Sequence, residues 1–266
     1  MSVKDPEEHF VTVPPGIRLR VVLSGPESGP VVLFSNSLGS DLSMWDGVVK
    51  ALPTEVRCVR YDTRGHGRSE QIPGPYTLED LGGDAIAIMD AIGLSRATVC
   101  GLSLGGVTAQ WLALHAPNRV SSLILANTGA HLPSPQMWQE RSAIARTSGL
   151  RSLVAPTMER WFTPAFRERE PAFVARQAEM LAGTSPEGYA GCCEALASAD
   201  LRPELASISV PTLVIVGADD PSTPPALGEE IRNGVPGARL VSLQAAHLSA
   251  LEVPREFASA IRDVIG

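Results

Sequence analysis

The stretch 97-ATVCGLSLGGVTAQWLALHA-116 sets Ser103 among glycines, after a short β-branched run and before an amphipathic one. "ATVC" reads as a strand and "GVTAQWLALHA" as a helix, so G-x-S-x-G, here Gly101 to Gly105, falls on the turn between them. Nearby glycines permit the strained backbone of such a turn, and the hydroxyl points out of the sheet. An ordinary helix N-cap would also place serine here. Partners elsewhere separate the two readings, because a serine hydroxyl is a poor nucleophile unless a base takes its proton and an acid orients that base.

Outward from this turn, short apolar runs alternate with helical patterns. "HFVTVPPGIRLRVVL" reads as a hairpin around Pro14, Pro15 and Gly16, followed by the buried-type strands "VVLFS", "VRCVRYD", "ATVCG", "SSLILAN", "TLVIVG" and "ARLVSL". Helices are expected near residues 44–52, 77–93, 104–116, 224–234 and 254–265, the second opened by Thr77 and Asp80 in capping-box spacing. The expectation is an α/β fold with a mostly parallel, doubly wound sheet of about eight strands and ligands at the strands' carboxyl ends. Residues 131–205 break the alternation with helical stretches punctuated by Pro and Gly. They are expected to form a helical cap inserted after the sixth strand, leaving 1–130 and 206–266 as the core.

Bulk properties narrow the function classes. A chain of 266 residues can bury a large single core. Its net charge of -7, with no Lys/Arg block, argues against a nucleic-acid partner. No run approaches the ~20 apolar residues of a membrane span, and the acidic start "MSVKDPEEHF" has no signal-peptide core. A soluble, cytoplasmic protein is expected. Cys58, Cys100, Cys192 and Cys193 show no C-x-x-C spacing, which predicts reduced packing residues rather than a zinc or redox site.

Five histidines compete for the role of base: His9, His66, His115, His131 and His247. His115 lies twelve residues along the helix from Ser103, about 18 Å at 1.5 Å per residue and out of hydrogen-bond reach. His9 precedes the first strand. His66, in "YDTRGHGRS", and His131, at the start of the insertion, could approach the site but do not fit the expected chain order. His247 follows the last strand in "QAAHLSALE". For the acid, "TLVIVGADDPSTPP" ends a strand and presents Asp219 and Asp220, either of which serves. Asn127 ends the preceding strand, but an amide cannot hold an imidazolium by charge. Serine, acid and histidine in that chain order match the α/β-hydrolase arrangement.

With "FSNSLGSDLSMWD", "RYDTRGHGRS", "CGLSLGG", "RWFTP", "GADDPSTPP" and "AAHLSALEVPREF" in view, the sequence resembles the α/β-hydrolase superfamily, and within it the 3-oxoadipate enol-lactone hydrolases, nearly end to end. Most of the superfamily carries His-Gly in the loop after the third strand; here Asn36 and Ser37 stand there, as in the enol-lactonases. The resemblance implies an α/β-hydrolase fold, oxyanion donation by the amides of Leu38 and Leu104, and Asp220 as the acid, three residues after the strand-ending Gly217. It also implies hydrolysis of a small anionic lactone in aromatic-compound degradation by Ser103, Asp220 and His247, with no metal or organic cofactor called for. The substrate carboxylate calls for an arginine fork. Arg141 and Arg160 are the candidates, with Ser37, Trp138 and Trp161 as further wall residues. A carboxylesterase, a carbon-carbon bond hydrolase or a cofactor-free perhydrolase would use the same residues. A non-catalytic ligand receptor would be marked by lost catalytic residues, and none of the three is lost.

Overall fold

The computed structural model describes residues 6–132 and 134–265; residues 1–5 of the acidic start, Pro133 in the expected cap and Gly266 lie outside the described residues. Eight strands form one sheet: β1 (Glu7–Val13), β2 (Ile17–Ser24), β3 (Val31–Ser35), β4 (Arg57–Tyr61), β5 (Ala97–Leu102), β6 (Val120–Ala126), β7 (Thr212–Gly217) and β8 (Arg239–Leu243). Their spatial order is β1-β2-β4-β3-β5-β6-β7-β8. The first two form the expected hairpin, with Val13 opposite Ile17 across the Pro14–Gly16 turn. β2 meets β4 antiparallel, and every pairing from β3 onward is parallel. Every residue of β5 and of β7 is buried. Strands covered on both faces carry continuous apolar runs rather than alternation, which is why they were legible as "buried-type".

Helices α1 (Asp46–Ala51), α2 (Leu78–Ala91) and α3 (Leu104–His115) follow the early strands, and α9 (Pro225–Gly234), α10 (Ser249–Glu252) and α11 (Pro254–Ile265) follow the later ones. The Thr77–Asp80 capping box is formed at the start of α2. Trp45 packs between Phe34 and Phe257, with ring centroids at 4.9 and 5.8 Å, and ties both ends of the chain to the same core.

Between β6 and β7 the described residues form five α-helices, α4 (Pro135–Ser148), α5 (Arg151–Trp161), α6 (Pro164–Arg169), α7 (Pro171–Ala182) and α8 (Pro186–Ser198), followed by a short 3-10 helix over Arg202–Ser207. Four of them begin with proline, and Ser134, Thr163 and Ser185 cap three of those starts. Proline at the first helical position lacks only an N–H that would have no acceptor there. The proline punctuation therefore marks four helix starts, with Pro156, inside α5, as the exception. The ends of the insertion meet at its base, where His131 pairs with Asp200 in an isolated antiparallel bridge and Leu201 N–H donates to Ala130 O at 2.8 Å.

Candidate active site

Ser103 sits between β5 and α3 with φ 56° and ψ -114°, a conformation few non-glycine residues adopt. Its surroundings enforce it. A Cβ on Gly101 would lie 2.0 Å from the Gly105 carbonyl oxygen, and one on Gly105 would lie 2.1 Å from that of Ser35. Strand, turn and helix can approach this closely only with glycine on either side of the serine. The Ser103 side chain makes no capping hydrogen bond to α3, so the ordinary N-cap reading does not hold.

His247 stands in the same cavity as Ser103. The carboxylate of Asp220 accepts from its Nδ1 at 2.9 and 3.1 Å, so Nδ1 carries the proton and Nε2 is left to accept one. No hydrogen bond joins His247 and Ser103, which line the same cavity. Asp220 is buried and also accepts from Ser222 N–H (2.8 Å), Thr223 N–H (3.0 Å), Thr223 Oγ1 (2.6 Å) and Asn127 Nδ2 (2.9 Å). Burial pushes its carboxyl pKa up, but His247 and the Thr223 donors outweigh that and hold it down at about 2. Asp219, the alternative acid, is exposed. The other histidines lie elsewhere: His9 is exposed beside Glu7, His115 stacks on Trp111, and His131 bonds the Ala199 carbonyl at the base of the insertion.

Ser37, Leu38, Trp138, Arg141, Arg160 and Trp161 line this same cavity. Arg141 lies over the Trp138 ring, 5.3 Å from its centroid. Arg160 donates to Thr157 Oγ1 at 3.1 Å. Neither guanidinium has a carboxylate partner among the described residues. Burial, with the charge of Arg141 nearby, lowers the pKa of Arg160. Leu104 is buried and does not line the cavity; it is the first residue of α3.

The loop after β3 is pinned at several points. Asn36 donates to Tyr61 O at 2.7 Å and accepts from Trp45 Nε1 at 2.8 Å, which gives the asparagine its structural purpose. Gly105 N–H donates to Asn36 O at 2.9 Å, and Ser40 Oγ to Ser37 O at 2.7 Å. Among the described residues no acceptor takes the amide of Leu38 or of Leu104, the condition an oxyanion site requires.

The family pattern described as the alpha/beta hydrolase fold matches residues 30–150. "3-oxoadipate enol-lactonase 2" of Acinetobacter baylyi is 43% identical over 94% of this chain and 93% of its own. The chain belongs to the enol-lactonase family of α/β hydrolases. "3-oxoadipate enol-lactonase 1" of the same organism is 41% identical over 93% of each chain. The crystal structure of the enol-lactonase from Burkholderia xenovorans LB400 superposes with a TM-score of 0.93 at 43% identity, covering 96% of this chain and 98% of that one.

Around this cavity of the enol-lactonase-family chain, sequence reasoning missed Tyr189 and Glu252 and gave Asn127 and His66 no supporting role. Asn127, set aside as an acid, has a left-handed φ of 43° and ties Asp220 to the Ala246 carbonyl at 3.2 Å. Tyr189 is buried in the cavity wall. His66 bonds the Gly39 amide at 3.1 Å. Glu252 accepts from Ala246 N–H at 3.0 Å, beside His247. Only the HGRS and HLSALE motifs hinted at the last two.

Proposed function

We propose that the protein hydrolyses 3-oxoadipate enol-lactone to 3-oxoadipate, with Ser103 as nucleophile, His247 as base and Asp220 as its orienting acid. Ser103 Oγ attacks the lactone carbonyl as His247 Nε2 takes its proton, and Asp220 stabilises the imidazolium. The amides of Leu38 and Leu104 bind the resulting alkoxide, each such donor lowering the barrier by about 3 to 4 kcal/mol. When the ring C–O bond breaks, the leaving oxygen departs as an enolate, which takes up the proton and becomes a ketone. A water molecule activated by His247 then attacks the acyl-serine, releasing the second carboxylate and restoring Ser103.

The observation that carries this reading is one cavity in which an Asp220-held imidazole and Ser103 meet two guanidiniums without carboxylate partners. Half-buried like charges are costly unless an anion joins them. The lactone's carboxylate supplies it, gripped by Arg141 and Arg160 and flanked by Ser37, Trp138 and Trp161. The insertion 131–205 acts as the cap that supplies this wall apart from Ser37, which follows β3. Four free, buried cysteines support a reducing, cytoplasmic setting. The test is turnover of enol-lactone against neutral p-nitrophenyl esters. A much higher kcat/KM for the lactone, abolished in Ser103→Ala, is expected; equal rates on both would place the protein among general esterases.

A further inference from the structure

The GHG motif around His66 finds no use in the chemistry above, yet its imidazole is buried against the loop that carries Leu38. Its two nitrogens are assigned by their partners. Gly39 N–H can only donate, and it meets Nε2 at 3.1 Å. The Arg64 carbonyl can only accept, and it meets Nδ1 at 3.1 Å. The ring is therefore neutral with its proton on Nδ1, and burial, partly offset by the Arg64 carbonyl, holds its pKa down at about 4.

The base on which this ring stands is rigid. Arg64 is bound to both carboxylate oxygens of Asp84 at 2.7 Å, and Asp62 accepts from Leu42 N–H at 2.8 Å and Arg68 N–H at 2.9 Å. Gly39 has a left-handed φ of 78°, and a Cβ there would meet Leu181 Cδ1 at 2.6 Å and Tyr189 Cε2 at 3.2 Å. The peptide that follows Leu38 is thus held on one side by the insertion and on the other by His66.

We propose that His66 is a positioning residue that aims the Leu38 amide into the oxyanion site through its hydrogen bond with the neighbouring Gly39 amide. The proposal rests on the reading of Ser103 and Leu38 given above. A bound oxyanion draws on the Leu38 N–H, and a peptide free to rotate at Gly39 would let that donor turn away. Ground-state binding of the lactone carboxylate, assigned above to the guanidiniums of Arg141 and Arg160, does not use the Leu38 amide.

The test compares two amides of different reach. In His66→Gln the side-chain oxygen can stand where Nε2 stood, whereas in His66→Asn it falls short of Gly39. The readouts are kcat and KM for enol-lactone and the affinity of benzeneboronic acid. The boron of that probe takes the Ser103 oxygen and becomes a tetrahedral anion as the serine proton passes to His247. His66→Asn is expected to lose about 10-fold or more in kcat and in boronate affinity with KM within about two-fold, while His66→Gln stays near wild type, in line with the steep cost of misplacing a catalytic group. An Asn variant equal to wild type on both measures overturns the proposal. A second measurement needs no variant: boronate binding should shift the 15N signals of Gly39 and of His66 Nε2, and unchanged signals overturn it equally. Full lactone turnover in Ser103→Ala would instead overturn the parent reading.

Discussion

The main-chain N–H of His247 donates to the carbonyl oxygen of Arg160 at 3.3 Å. Next to it, Leu248 N–H donates to Trp161 O at 3.0 Å. The end of α5, which supplies two residues of the cavity wall, and the loop that carries the imidazole are therefore one hydrogen-bonded unit. Glu252 closes it from behind. Its buried carboxylate accepts from Ala246 N–H at 3.0 Å and from the amide and hydroxyl of Thr163.

Removing that carboxylate strands the buried Ala246 N–H and the part-buried Thr163 N–H, a buried group costing about 1 to 3 kcal/mol when left without an acceptor. Glu252→Ala is expected to lower Tm by several degrees, since a domain of this size loses roughly 2 to 4 °C per kcal/mol. Glu252→Gln keeps one acceptor oxygen and should lose less. Thermal melts by circular dichroism check both.

Asp220 and Asp219 are neighbours with opposite surroundings, one buried on His247 and one exposed. Asp220→Asn should lower kcat by about 10⁴-fold, because an amide there favours the wrong imidazole tautomer. Asp219→Asn should leave kcat within about two-fold, as surface changes usually do. Steady-state lactone hydrolysis decides the pair.

Arg141→Ala and Arg160→Ala should each raise KM for the anionic lactone about 10-fold, the equivalent of one lost charge-assisted hydrogen bond. Their KM values for neutral p-nitrophenyl acetate should change little. A double variant no worse than either single variant would indicate that the two act as one clamp.

The pH dependence of stability follows from His66. Its folded-state pKa is about 4, whereas the ordinary value is 6.5. Between these values the unfolded chain binds the extra proton and the folded one does not, so stability is full above pH 6.5 and falls as pH drops toward 4. Over that window the wild type should lose about 3 kcal/mol more than His66→Gln, at 1.36 kcal/mol per pH unit. Urea titrations at stepped pH values measure the difference.

At the turn before α3, Gly105→Ala drives a Cβ to 2.1 Å from a main-chain oxygen that cannot rotate away. The variant should be destabilised by about 3 kcal/mol or more, at the severe end of overpacking, and lose turnover as Ser103 shifts. Gly83→Ala, with open space around its Cβ position, is the control and should be tolerated.

The strands and the helices of the core were legible because their signals are local. Apolar runs such as "TLVIVG" bury both faces, and the Thr77–Asp80 cap satisfies backbone donors only three residues away. The short α10 was missed, since four residues following the histidine carry no resolvable period. The G-x-S-x-G turn was readable for a similar reason, its glycines and serine acting on each other within five positions.

By itself the sequence determined the alternation of strands and helices and the position of Ser103 on a strand-to-helix turn. The residues alone left Asp219 and Asp220 open, and the family resemblance pointed to Asp220; only the tertiary structure showed the Asp220–His247 contact, the bracing by Asn127 and Glu252, and the reach of His66 to Gly39. These contacts join residues from 6 to 119 positions apart. Each depends on where neighbouring loops emerge from a twisted sheet and on side-chain directions that packing, not local periodicity, selects.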